Sequence, residues 1–155
     1  EILTPDFHGN DKAIEVIAST KPTVWGHNLE VVEKLHHSIK RPPSSYNISL
    51  DFLKKIKTLS PNMITKTGIM VGIGEQKQDV FEFIEDVAAM HVDIVTIGQY
   101  LAPSKSHYPV ARYVSPGEFE EYSQHGKTLG LKIVAGPFVR SSYMARETYN
   151  SLCYS

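Results

Sequence analysis

The chain has 155 residues, a formal net charge of −1 and 41% hydrophobic residues, the profile expected of one soluble globular unit with a fair core. So balanced a charge gives no footing for nucleic acid or a membrane surface. No apolar run approaches the ~18 residues of a membrane span, and no charged-then-apolar leader opens the chain, so the expected compartment is cytoplasm or an organelle matrix.

The first residues, Glu1 and Ile2-Leu3-Thr4-Pro5, read as the end of a strand already under way, and so as a piece of a longer protein. Ala13, Ile14, Ile17 and Ala18 recur at helical spacing and predict a helix over 10–19, stopped by Pro22. Thr23-Val24-Trp25-Gly26 is a short strand, with His27-Asn28 at its carboxyl end. Asn28 would cap a helix whose apolar face is Val32, Leu35 and Ile39, broken at Arg41-Pro42-Pro43-Ser44-Ser45. A further helix over 46–59 carries Leu50, Leu53 and Ile56 inward and Lys54, Lys55 and Lys57 outward.

The most informative stretch follows, Thr65-Lys66-Thr67-Gly68-Ile69-Met70-Val71-Gly72-Ile73-Gly74-Glu75. Ile69 to Val71 with Ile73 reads as a buried strand. Gly68, Gly72 and Gly74 permit a sharp turn and the close approach of something flat, since a residue without Cβ takes up no contact distance. Glu75 stands at the mouth of the next helix, 76–90, which buries Val80, Phe83, Ile84 and Val87. A strand ending in glycines and one carboxylate is a common way to hold a polar small molecule. A tight turn that binds nothing would use the same residues.

Val92 to Ile97 is the next strand, followed by Gly98-Gln99-Tyr100 and a long loop over 101–114, a length often functional in compact domains. Ser115-Pro116-Gly117-Glu118 predicts a helix start with a capping box. Phe119, Tyr122 and Leu129 would face inward, and Gly130 would end the helix. Leu131 to Ala135 is the last strand, and Gly136-Pro137-Phe138-Val139-Arg140-Ser141-Ser142-Tyr143 leads into a short helical tail. This alternation predicts an α/β fold with a parallel sheet, either part of a (β/α) barrel or an open doubly wound sheet. Asp6, His27-Asn28, Gly72 to Glu75 and Gln99-Tyr100 all follow strands, on the rim where both architectures bind ligands.

In this order the motifs closely resemble lipoyl synthases, radical S-adenosylmethionine enzymes, from Thr4 to about Tyr143. Thr4-Pro5-Asp6-Phe7-His8-Gly9, His27-Asn28-Leu29-Glu30, Arg41 with Tyr46 and Ser49-Leu50, the stretch 65–75, Thr96-Ile97-Gly98-Gln99-Tyr100, Pro103-Ser104 with His107 and Pro109-Val110, and 136–143 carry the resemblance. It implies the carboxyl-terminal half of a partial TIM-type (β/α) barrel, residues 1–155 forming part of one catalytic domain with 136–155 as an extension. It implies two [4Fe–4S] clusters held by cysteine triplets. One cluster cleaves S-adenosylmethionine to a 5′-deoxyadenosyl radical, and the other donates the two sulfurs inserted into the octanoyl chain of a lipoyl carrier protein.

By the same resemblance Gly68, Met70, Gly72 and Glu75 match the motif against which the adenosine packs. Asn28 would bond the ribose, Gln99 and Tyr100 would face the adenine edge, and Ser142 would ligate the one iron of the auxiliary cluster that lacks a cysteine. A hard, weakly held alkoxide suits an iron that must be released. His8 stands where the family more often has Arg or Gln, and Val31 where Thr is usual. Cys153 is the only cysteine, so the chain alone can neither close a disulfide nor assemble either cluster, and the piece by itself is expected to be inactive and poorly soluble. The seven histidines show no zinc-like spacing. Two other readings use the same scaffold: a catalytically silent half-barrel that binds or interacts, and a phosphate-binding β/α-barrel lyase or isomerase with its loop near Gly136-Pro137 and Arg140.

Overall fold

The structure, a computed structural model, describes residues 1–42, 45–142, 145–147 and 150. Its elements in chain order are β1 (Ile2–Leu3), α1 (Asp11–Ser19), β2 (Val24–Gly26), α2 (Ser45–Leu59), β3 (Ile64–Val71), α3 (Lys77–Ala89), β4 (Ile94–Gln99), α4 (Pro116–Thr128) and β5 (Lys132–Gly136). Among the described residues no helix is long and apolar enough to cross a membrane.

The five strands are all parallel and lie in the order β1-β2-β3-β4-β5, so each pairs with its neighbour in sequence. A doubly wound sheet reverses its strand order at a switch point. This sheet does not, and of the two predicted architectures it is the open segment of a (β/α) barrel.

Register separates the two faces. Trp25 pairs with Thr65, Ile69 with Ile97 and Val71 with Gln99, and this face carries the helices. Trp25, Ile69, Val71, Val95 and Ile97 pack there against Phe52, Leu53 and Ile56 of α2, Val80, Phe83 and Ile84 of α3, and Phe119 and Tyr122 of α4. Each such side chain removed from water contributes about 2–3 kcal/mol. The opposite face carries Lys66, Gly68 and Met70, paired with Ile94, Thr96 and Gly98.

Most helix ends are set by local chemistry. Asn10 Oδ1 accepts from Ala13 N at 3.2 Å and starts α1. Ser115 Oγ accepts from Glu118 N at 3.2 Å, and Pro116 takes the first position of α4. The reciprocal half of the predicted box is not made, because the Glu118 carboxylate turns to Arg112 and Tyr122. Leu129 is not inward-facing either: it follows the last turn of α4 and is 43% exposed.

The helix predicted after Asn28 is absent. Only Glu33–Leu35 forms a 3-10 turn, and Asn28 caps nothing. The cause is long-range: Glu30 N donates to the Gly68 carbonyl at 3.1 Å and Met70 N to the Glu30 carbonyl at 2.7 Å, drawing residues 27–30 onto β3. Leu29, Val31 and Val32 are buried beneath that connection.

Candidate functional site

At the carboxyl ends of β2, β3 and β4 a cavity of about 280 Å³ opens on the helix-free face. Asn28, Gly68, Met70, Gln99 and Tyr100 line it, together with Glu30, Thr96, Gly98, Arg140 and Ser141. Its floor is set by register, since Gly68 lies beside Thr96 and Met70 beside Gly98. A Cβ on Gly68 would overlap the Thr96 hydroxyl, and one on Gly98 would overlap the Val139 carbonyl. Both glycines are therefore required by the close approach of the Thr96 hydroxyl and the Val139 carbonyl to the strands.

A second cavity, of about 310 Å³, shares Asn28 and Ser141 with the first and is lined also by Gly26, Lys66 and Ser142. Lys66 is buried with its Nζ on the Glu1 carboxylate at 3.0 and 3.2 Å. Ser142 is exposed at the rim of this cavity. A third hollow, about 300 Å³, adjoins Met70 and Tyr100 and is bounded by the apolar Val31, Ile39 and Ile73 with Tyr108.

Asn28 is held in place from below. His27 is buried, with Nδ1 on the Thr4 carbonyl at 2.9 Å and Nε2 on Ser49 Oγ at 2.8 Å. A carbonyl only accepts, so Nδ1 carries the hydrogen and Nε2 accepts from the serine. Burial pushes the His27 pKa down, which keeps the ring neutral and this tautomer in place. Among the described residues the Asn28 amide and the Ser142 hydroxyl enter no hydrogen bond, and their capacity is open to the cavities.

Three of the predicted contact residues have partners within the chain. Gly72 and Glu75 do not line the first cavity. The Glu75 side chain is wholly buried, and its carboxylate accepts from the amides of Gly72, Ile73 and Gly74 at 2.7, 3.0 and 3.2 Å and from Arg112 at 3.5 Å. Such a ring of backbone amides is a nest for an anion, and the chain fills it with its own. Gly72 is required by the turn: its φ is +92°, and a Cβ would overlap the Gln99 amide and the Arg112 carbonyl.

Gln99 borders the cavity, but its amide is turned away from it. Nε2 donates to the carbonyls of Tyr100 and Arg112 at 3.0 and 3.1 Å, and Oε1 accepts from Val114 N at 2.9 Å. The Tyr100 hydroxyl likewise donates to the Tyr108 carbonyl at 2.9 Å, so this residue offers the cavity its ring rather than its oxygen.

Glu30, Thr96 and Gly98 were not among the predicted site residues. Alternation from Gly68 and Met70 through the β3–β4 register would have found the last two. Glu30, with φ at +74°, had no local signal. Tyr143 and Cys153 lie outside the described residues.

A nucleoside fits the first cavity on this geometry: a flat glycine floor, a free amide at one end and an aromatic ring at the other. Iron–sulfur clusters find no ligand set among the described residues. Among the described residues no group of three His, Cys, Asp or Glu side chains comes together, and Ser142, the predicted cluster ligand, lies exposed on the second cavity.

No protein-family model matches the chain. It is 47% identical over 156 residues to a lipoyl synthase of Psychrobacter cryohalolentis, covering 99% of this chain and 45% of that protein. Against a lipoyl synthase of Caldanaerobacter subterraneus the identity is 49% over 146 residues, 94% of this chain and 51% of the relative. Against one from Methanocella arvoryzae it is 44% over 153 residues, 98% and 52%. The chain thus spans about half the length of the curated relatives it matches. Among solved structures, Bacillus subtilis HMG-CoA lyase superposes with a TM-score of 0.55 over 98% of this chain and 49% of that one. At 14% identity that likeness is one of fold alone.

Proposed function

The chain belongs to the lipoyl synthase family, and we propose that it is the carboxyl-terminal portion of a radical S-adenosylmethionine sulfurtransferase that inserts two sulfurs into the octanoyl chain of a lipoyl carrier protein. The observation that carries the reading is the convergence of Asn28, Gly68, Met70 and Tyr100 on one glycine-floored cavity, in a chain similar to those synthases over nearly its whole length. Residues 1–155 form part of one catalytic domain, with 136–155 as its extension.

In this reading the first cavity takes the adenosine of S-adenosylmethionine. The Asn28 amide bonds the ribose, and Gly68 and Gly98 let the flat base lie against the strands. The Tyr100 ring closes the outer side, and the apolar hollow beyond Met70 accommodates hydrocarbon. Ser142, on the neighbouring cavity, is the hydroxyl that reaches the auxiliary cluster, with the Arg140 guanidinium close by. When bound, S-adenosylmethionine and the clusters supply hydrogen abstraction and sulfur. The cysteines for both clusters come from outside this chain, and the chain alone is inactive.

The phosphate-binding lyase reading has less support. The amide nest at 72–74 already holds the Glu75 carboxylate, and Arg140 Nη1 donates to the carbonyls of Pro137 and Val139 within its own turn.

The deciding experiment is iron and sulfide analysis of the complete protein, reconstituted anaerobically, with S-adenosylmethionine binding measured alongside. About eight irons per chain and saturable binding are expected for two four-iron clusters. Ser142→Ala should spare S-adenosylmethionine cleavage and abolish sulfur insertion, and normal lipoyl product from that variant would sink the ligand assignment.

A further inference from the structure

Residues 101–114 leave β4 and reach the cap of α4 without regular secondary structure. Their first residues are cavity wall, since Leu101 and Pro103 line the cavity beside Tyr100. Their last residues are fastened elsewhere. Ala111 N and Arg112 N donate to the Gly72 carbonyl at 2.8 and 3.3 Å, and the Gln99 amide grips the Arg112 carbonyl and the Val114 N–H.

One side chain completes the attachment. The Arg112 guanidinium donates to both carboxylate oxygens of Glu118 at 2.7 and 2.6 Å, and to Glu75 Oε1 at 3.5 Å. Glu118 also accepts from the Tyr122 hydroxyl. A bidentate, charge-assisted pair of this kind fixes orientation as well as distance. Arg112 therefore adds a side-chain link among three parts: the turn after β3, which the amides of Ala111 and Arg112 already reach, the segment that walls the cavity, and the first turn of α4.

From this geometry we infer that Arg112, with Glu75 and Glu118, is a clasp that holds residues 101–114 closed over the cavity, which makes Arg112 a positioning residue for the bound nucleoside. The inference rests on the proposal that the cavity holds S-adenosylmethionine. It gives Glu75 a different task from ligand contact: its carboxylate fills the amide nest and presents its remaining charge to the clasp. Glu75 and Arg112 are 37 residues apart in sequence, but the turn and the segment they belong to meet at the cavity rim.

Lys105 lies exposed within the segment, so the rate of tryptic cleavage there, relative to the other sites of the chain, reports how firmly the segment is held. The complete protein would be compared with Arg112→Gln and Arg112→Lys by the rate of cleavage at Lys105, by equilibrium dialysis of S-adenosylmethionine, and by thermal unfolding. Removing hydrogen bonds to a charged group is expected to raise both the cleavage rate and the Kd about tenfold or more in Arg112→Gln, and less in Arg112→Lys, which keeps the charge but not the fork. S-adenosylmethionine should slow cleavage at Lys105 in the parent protein and fail to do so in Arg112→Gln.

Unchanged cleavage and unchanged Kd would overturn the clasp. Faster cleavage with an unchanged Kd would overturn its positioning role. A parent protein that binds no S-adenosylmethionine, while Arg112→Gln still accelerates cleavage, would uphold the clasp and overturn the reading of the cavity. Should Arg112→Gln fail to fold, Glu118→Gln removes the same charged partner from the other side and is expected to show the same faster cleavage.

Discussion

The two ends of the sheet treat polar groups in opposite ways. At the amino end, Asp93 accepts from Lys57 Nζ at 2.8 and 3.0 Å, from Thr65 N at 2.7 Å and from Thr65 Oγ1 at 3.0 Å, and Lys57 also donates to the Met63 carbonyl at 3.0 Å. Each polar group of this cluster meets a partner from the same chain. At the carboxyl end Asn28 and Ser142 are left over among the described residues, around cavities floored with glycine. Matched donors and acceptors hold a fold, whereas surplus capacity at a concave surface is capacity for a ligand.

The largest test of that contrast is Asp93→Ala. It strips four hydrogen bonds and leaves the Lys57 ammonium, 16% exposed, beside the buried Thr65. We expect a loss of about 2–4 kcal/mol in denaturant unfolding, with S-adenosylmethionine affinity of the complete protein unchanged. A parallel loss of affinity would show that the two ends are not independent.

Gly98→Ala approaches the contrast from the other side. Its Cβ would meet the Val139 carbonyl, so the turn bearing Arg140 and Ser141 must shift, with about 1–3 kcal/mol lost in stability and at least a tenfold loss of cofactor affinity by dialysis. Asn28→Ala should weaken affinity by about 1 kcal/mol, a factor of roughly five, with no measurable change in unfolding. An unfolding change larger than the binding change would return Asn28 to the structural class.

The smallest effect comes from acid. The Arg112 guanidinium holds the Glu118 carboxyl below its ordinary value of 4.5. A carboxylate depressed on folding adds stability that is present above its unfolded value and is lost as pH falls through its folded value. Tryptic cleavage cannot be followed there, so pepsin would serve, and residues 101–114 should become its earliest cutting site below about pH 4. Uniform cleavage across the chain would remove Glu118 from the account.

Much of the fold was legible because its signals are local. Ala13, Ile14, Ile17 and Ala18 announce α1, and Ser115 with Pro116 announces α4, since a helix repeats and caps within a few residues. The segment after Asn28 defeated the same reasoning. Val32, Leu35 and Ile39 have helical spacing, but the two backbone bonds between Glu30 and β3 depend on residues about forty positions away, which periodicity cannot register.

The site divides along the same line. Gly68 and Met70 lie within β3 and Tyr100 directly after β4, so their position at the cavity follows from the strand pattern. Glu75 was assigned to a ligand because a carboxylate between glycines and a helix looks uncommitted until Arg112 and the three amides are seen around it. The internal partners of Gln99, at Arg112 and Val114, were hidden in the same way, since they lie across the loop.

The strand order has a consequence for how such a sheet is assembled. Among the described residues no strand pairs with anything but its immediate predecessor and successor, so a chain emerging from the ribosome can lay each βα unit against an edge already formed. The sheet grows by accretion, and at each stage the growing edge is the template for the next strand. The order of synthesis and the order of construction are then the same, and an interruption between two units breaks one strand interface and leaves the others intact.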